Sequence, residues 1–247
     1  MSATLVIQSH RAPLPFAWLQ RCLDSVIGWS RDNAFDYRFI GDEIFDDLSS
    51  ELRHKTRDRP VIASDLARLI SLQRALDDGY DCVLWLDADV LILRPADFRL
   101  PDDSYALGRE VWVQADDGGR PRAWVKVHNA AMLFRRDNVF LDFYRHTAER
   151  LLGLNDGGMP PQFIGPKLLT AIHNIAHCPV FESAGMLSPM VMRDLLSDGG
   201  AALDLFRQKS KVMPSAVNLS SSLTTAAGFE AADMNRLIDR LLDTGFE

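Results

Sequence analysis

An apolar stretch from Val83 to Leu93 is broken once, by Asp87-Ala88-Asp89. Apolar residues on both sides of the break predict a strand with both faces covered, which in turn predicts an α/β fold. Side chains alternate along a strand, so Asp87 and Asp89 share a face, with Cα atoms roughly 6.6 Å apart at a rise of ~3.3 Å per residue. At an effective dielectric of ~20, two carboxylates at that spacing repel by about 2.5 kcal/mol. A divalent cation at the strand end reverses the sign, and a hard metal held by one or two carboxylates and completed by phosphate oxygens suits the pair. The plain alternative is a strand-end turn, or a cap for the next element. On charge alone, Asp89→Ala is expected to hold or raise stability.

The surrounding pattern is the helix–strand rhythm of a mixed, mostly parallel sheet covered by helices. Strands are predicted at 3–8, 36–40, 82–86, 106–115, 129–134 and 178–182, with a hairpin turn over 116–122. Charged residues 41–60 predict an exposed helix and loop. A helix over 63–79 takes Ser64 as N-cap and carries Leu66, Leu69, Ile70 and Leu76 as its apolar stripe. Asp137 is expected to cap a helix reaching Leu152, and a further helix is expected near 166–174. A terminal helix over 229–243 turns Met234, Leu237, Ile238, Leu241 and Leu242 inward. Residues 155–161 are a Gly/Pro-rich loop. Residues 214–225 are too rich in Ser and Thr to predict a core strand. Trp85, Trp112 and Trp124 are expected in the core, and His128 is expected to be structural.

The 247 residues suit one domain, residues 1–135 forming a ligand- and metal-binding half and 136–247 the other side. A net charge of −7 argues against a nucleic-acid surface. Cys22, Cys82 and Cys178 share no metal-ligand spacing and make no disulfide framework, so a cytoplasmic location is expected, with peripheral membrane contact left open. No stretch approaches the ~20 apolar residues of a membrane span, and the N-terminus has no basic leader.

Two kinds of chemistry put Asp-x-Asp after a buried strand. A haloacid-dehalogenase-like phosphohydrolase uses the first Asp as nucleophile. There the motif sits on the first strand, whereas here 86 residues precede it. The second is sugar transfer. ASDLARLISLQRAL, followed by LDADVLI, resembles the donor-site core of retaining GT-A-fold glycosyltransferases with a DXD sugar-binding region. That group spans capsular-polysaccharide enzymes, initiating mannosyltransferases and glucosylating toxins. KVHNAAMLFRR at 126–136 is similar to the family's next strand, and FIGPKLLTAIH at 163–173 to its Gly-Pro-headed helix. The match runs over roughly residues 3–175. The family's Gly-Gly-x-Tyr before the Asp strand is replaced here by DDGYDCVLWLDAD.

The resemblance implies a GT-A-like fold and a hexosyltransferase of polysaccharide biosynthesis. Such an enzyme takes a UDP- or GDP-sugar and a saccharide or other hydroxyl acceptor, uses Mn²⁺ or Mg²⁺, and retains anomeric configuration. It implies that Asp89 ligates the metal and that Asp87 reaches the donor ribose or a metal-bound water. Asp65 and Arg68 would bind donor hydroxyls, with Asn129, Gly165 and Pro166 as further donor-site residues. The plain reading of Asp65 and Arg68 is a surface i,i+3 pair worth a few tenths of a kcal/mol. These enzymes often use a late His or acidic ligand, yet no His follows His177. Asn218 and Ser221 are expected to complete the metal shell, since a hard cation accepts an amide oxygen and a hydroxyl; the plain alternative is a surface loop before the terminal helix. No side chain identifies itself as catalytic base or nucleophile. A catalytically silent nucleotide-sugar-binding protein is the non-enzyme alternative.

Overall fold

A computed structural model describes residues 3–247; residues 1–2, where the leader reading and the expected domain begin, lie outside it. The chain runs β1 (Thr4–Ser9), α1 (Ala17–Asp32), β2 (Asp36–Ile40), a single turn of 3₁₀-helix (Asp42–Phe45), α2 (Ser50–Lys55) and α3 (Pro60–Asp77). Then come β3 (Cys82–Leu86), β4 (Val90–Ile92), β5 (Tyr105–Ala115), β6 (Pro121–Arg135), α4 (Val139–Leu154) and α5 (Pro166–Ala176). The last part holds β7 (Val180–Phe181), β8 (Ala184–Met186), α6 (Pro189–Leu196), α7 (Ala201–Lys209), β9 (Ala216–Asn218), α8 (Ser221–Ala226) and α9 (Ala231–Asp243).

The main sheet has the order β2-β1-β3-β6-β5-β7. β1 pairs in parallel with both β2 and β3, while β6 runs antiparallel to β3 and to β5. The chain leaves β1 towards β2 and then returns to its other side as β3. Their C-terminal ends therefore open a crevice at the point where strand order reverses, the usual ligand site of such sheets. β3 is buried along its whole length, as the apolar run requires, and it carries the motif into that crevice.

The apolar run does not continue as one strand. β3 stops at Leu86, Asp87–Asp89 form a turn closed by Val90 N–H donating to the Asp87 carbonyl (3.0 Å), and β4 joins a second sheet of order β4-β9-β8. The turn, not strand alternation, sets the direction of the two carboxylates.

Other departures have local causes. Helix α3 starts at Pro60, whose missing N–H suits the first turn, so Ser64 lies inside the helix. Asn138, not Asp137, caps α4 by accepting from Leu141 N–H at 3.0 Å; Asp137 takes a left-handed φ of 65° just before it. β6 extends back to Pro121 because it pairs with β5 along the hairpin. Trp85 is buried, but Trp112 and Trp124, paired across that hairpin, are only half-buried. Leu242 faces out of α9, while Met234, Leu237, Ile238 and Leu241 are buried as expected. The Ser-rich tail does contain a core strand: β9 is fully buried between β4 and β8. Among the described residues, no helix is long and apolar enough to cross a membrane.

Candidate active site

The crevice is a cavity of 390 Å³ bounded by the ends of β1 (Ser9, His10) and β2 (Gly41, Asp42), by Ser64 and Arg68 of α3, and by Asp87 and Asp89. Ser221 and Ser222 close it from α8.

The Asp87–Asp89 turn is tied to the elements around it through its backbone. Asp87 N–H donates to the Ala130 carbonyl on β6 (2.8 Å), and Gln8 of β1 donates to the Asp87 carbonyl (3.1 Å). Leu219 N–H donates to the Asp89 carbonyl (2.9 Å). The side chains are held as well. Asp87 Oδ1 accepts from Trp85 Nε1 (2.7 Å) and faces Arg68 (3.2 Å), and among the described residues no hydrogen bond reaches its Oδ2. Asp89 Oδ1 accepts from Asn218 Nδ2 (2.5 Å), and its Oδ2 accepts from Ser221 N–H (2.7 Å).

Behind this pair lies Arg68, which is buried and not on a helix surface. Its guanidinium stacks over Trp85 at 5.1 Å, donates to the Asn129 carbonyl at 2.8 Å, and lies nearer to Asp87 (3.2 Å) than to Asp65 (3.6 Å). A weak surface pair does not describe it. Asp65 Oδ1 accepts from Asn129 Nδ2 at 2.8 Å, while Asp65 Oδ2 is buried without a hydrogen bond. Gly165 packs directly on this pair. A Cβ there would lie 2.4 Å from Asp65 Oδ2 and 2.8 Å from Asn129 Nδ2.

Burial raises the Asp65 carboxyl to about 6, against the pull of Arg68 and the Asn129 hydrogen bond. Burial also raises Asp89, and the Asp87 charge raises it further, with the Ser221 hydrogen bonds opposing. Burial works against the Arg68 charge, and Asp87 and Asp65 outweigh it. Asp65 and Asp87 thus share one guanidinium and Asp89 adds a third acidic group nearby, which leaves negative charge uncompensated in a poorly solvated place.

The expected residues do gather, at different depths. Arg68, Asp87, Asp89 and Ser221 line the crevice; Asp65, Asn129 and Gly165 form a buried layer behind Arg68. Pro166 and Asn218 line an adjoining cavity. Asn218 meets Asp89 through its amide nitrogen, because its Oδ1 accepts from Ser220 N–H (2.7 Å) and Ser220 Oγ (3.2 Å). His128 is fully buried between the Ala184 carbonyl and Ala130 N–H, and burial lowers its pKa to about 4. His10, just past β1, lines the crevice as well; its place after the first strand suits either a nucleotide site or a plain loop.

The chain is similar in structure to a glycosyltransferase involved in glycosylating the major capsid of PBCV-1. The TM-score is 0.50 at 11% identity, over 96% of this chain and 98% of that one. The fold is GT-A-like. Similarity also extends to the galactosyltransferase LgtC, solved with donor and acceptor sugar analogues (TM-score 0.46, 16% identity, 95% of each chain). Mouse xyloside xylosyltransferase 1 is similar too (TM-score 0.45, 12% identity, 90% of this chain and 98% of that one). No family model matches the sequence, and no curated protein matches it.

Proposed function

We propose that this protein is a metal-dependent glycosyltransferase that moves a hexose from a UDP- or GDP-sugar to a hydroxyl of a saccharide or similar acceptor, with retention of configuration. The observation that carries the reading is the Asp87–Asp89 turn, placed on a GT-A-like fold at the mouth of the crevice where β1, β2 and β3 end.

The residues fit a hard divalent cation, Mn²⁺ or Mg²⁺. Among the described residues no three His, Cys, Asp or Glu side chains converge into a full metal cage. Two carboxylates are what such an ion needs when substrate phosphates and water supply its other ligands. Asp87 and Asp89 would hold it, with the Ser221 hydroxyl as a third oxygen. Asn218 contributes by fixing the Asp89 carboxylate. When bound, the cation supplies charge against the negative diphosphate leaving group.

Arg68 faces the nucleotide sugar directly. Asp65, Asn129 and Gly165 serve donor binding at one remove, by setting the guanidinium and Asp87. The phosphohydrolase alternative is not favoured: its motif belongs on the first strand, whereas here it follows β3. Cys22, Cys82 and Cys178 are free and buried, and a cytoplasmic location is proposed on that basis.

A panel of UDP- and GDP-hexoses with Mn²⁺ or Mg²⁺ tests the reading. Nucleoside diphosphate release from one donor, with the anomeric configuration of the product read by NMR, is expected. Turnover of para-nitrophenyl phosphate with no nucleotide-sugar cleavage would contradict it.

A further inference from the structure

A second cavity, of 550 Å³, shares only Asp87, Asp89 and Ser222 with the first. Its other walls come from β5, β6, the β8–β9 end and the start of α5. On β5, Glu110, Trp112 and Gln114 alternate onto this one face. Lys126 stands opposite Glu110 in the hairpin register and lines the same cavity, as does Lys167 of α5.

Glu110 is the unusual member. It is 8% exposed, yet among the described residues its side chain makes no hydrogen bond and no ion pair. Burial pushes its carboxyl up, with only the Lys126 charge pulling it back. A largely covered carboxylate without a protein partner weakens a strand, and a glutamine or an apolar residue would suit the fold better. Trp112, two residues on, is half-buried and has its indole Nε1 fixed on Gln114 Oε1 at 3.0 Å. An orientated aromatic ring beside an acceptor open to the cavity matches a sugar, which has an apolar C–H face and hydroxyls at its edge.

We propose that this cavity is the acceptor subsite, and that Glu110 accepts hydrogen bonds from hydroxyls of a pyranose laid against Trp112. The proposal rests on the glycosyltransferase reading. It places donor and acceptor on either side of Asp87 and Asp89, the only two acidic residues common to both cavities. A site that hydrogen-bonds a substrate hydroxyl discriminates strongly against analogues lacking it, so Glu110 is a specificity-determining residue.

The test measures nucleoside diphosphate release from the nucleotide sugar that the protein cleaves, with Mn²⁺. It is run in water alone and with para-nitrophenyl glucosides, galactosides, mannosides and N-acetylglucosaminides of both anomers. At least one glycoside is expected to accelerate release. Glu110→Gln and Trp112→Ala should lower kcat/KM for that glycoside at least tenfold more than they lower the rate in water. Glu110→Gln should melt no lower than the wild type. Wild-type acceptor KM in both variants overturns the subsite, and so does cleavage of the donor in water that no glycoside accelerates. If no nucleotide sugar is cleaved under any condition, the glycosyltransferase reading fails instead, and the subsite with it.

Discussion

Asp65 holds its proton up to about pH 6 in the folded protein, whereas an unfolded chain releases it near 3.9. Between those values the folded state binds more protons, so stability falls as pH rises through the window, by on the order of 2–3 kcal/mol. Asp65→Asn keeps an oxygen for Asn129 and removes the titration. The variant should melt at or above the wild type at pH 7.5, with the gap closing at pH 4.5. Its affinity for the donor should nevertheless fall, because Arg68 loses one of the two carboxylates it pairs with. Calorimetric melts at both pH values check the first part; a wild type more stable than the variant at pH 7.5 would refute it. Gly165 makes the complementary point. Its φ of −88° lies outside the left-handed region, and a Cβ there would meet the Asp65–Asn129 pair behind it. Gly165→Ala drives a methyl group into the Asp65–Asn129 hydrogen bond and is expected to cost about 1–3 kcal/mol. Denaturant unfolding with an unchanged midpoint would show that the pair is not packed as described.

At the scale of elements, the junction of β4, β9 and α8 depends on a carboxylate from the motif itself. Charge alone predicts that Asp89→Ala is neutral or stabilising. The structure reverses the sign, because Asn218 Nδ2 and Ser221 N–H both donate to Asp89 and would be left unpaired. A loss of about 1–3 kcal/mol is expected, with faster hydrogen exchange over residues 216–226. Unchanged protection there would contradict this. The same junction shows where the sequence ran out. Helix α3 was legible because Leu66, Leu69 and Ile70 repeat at helical spacing within a single element. β9 was not, because its burial comes from β4 and β8, which lie far away in the chain, and Asn218 and Ser220 find Asp89 and the Leu187 carbonyl only once the chain is folded. Helix α6 did carry a local signal, Ser188 followed by Pro189, with Ser188 accepting from Val191 N–H at 3.5 Å. Glu110 gave none: one acidic residue in a strand reads as solvent-facing until the opposite wall is known.

For the whole molecule, parallel strand ends and a shared negative charge converge on one crevice. On the proposed reading, the carboxylates of Asp87 and Asp89 repel a diphosphate until a bound cation reverses the local field. Binding linked to folding should then appear as a rise in melting temperature only when nucleotide and metal are present together, worth about 2.7 kcal/mol at a hundred times Kd. The most direct test is titration calorimetry of UDP and GDP into the wild type and into Asp87→Asn, each with Mn²⁺ and with EDTA. Tight binding of one nucleotide by the wild type is predicted, lost in EDTA and weakened at least thirtyfold by the substitution. Equal affinity in all four conditions would contradict the assignment of Asp87 and Asp89 as the metal–diphosphate site.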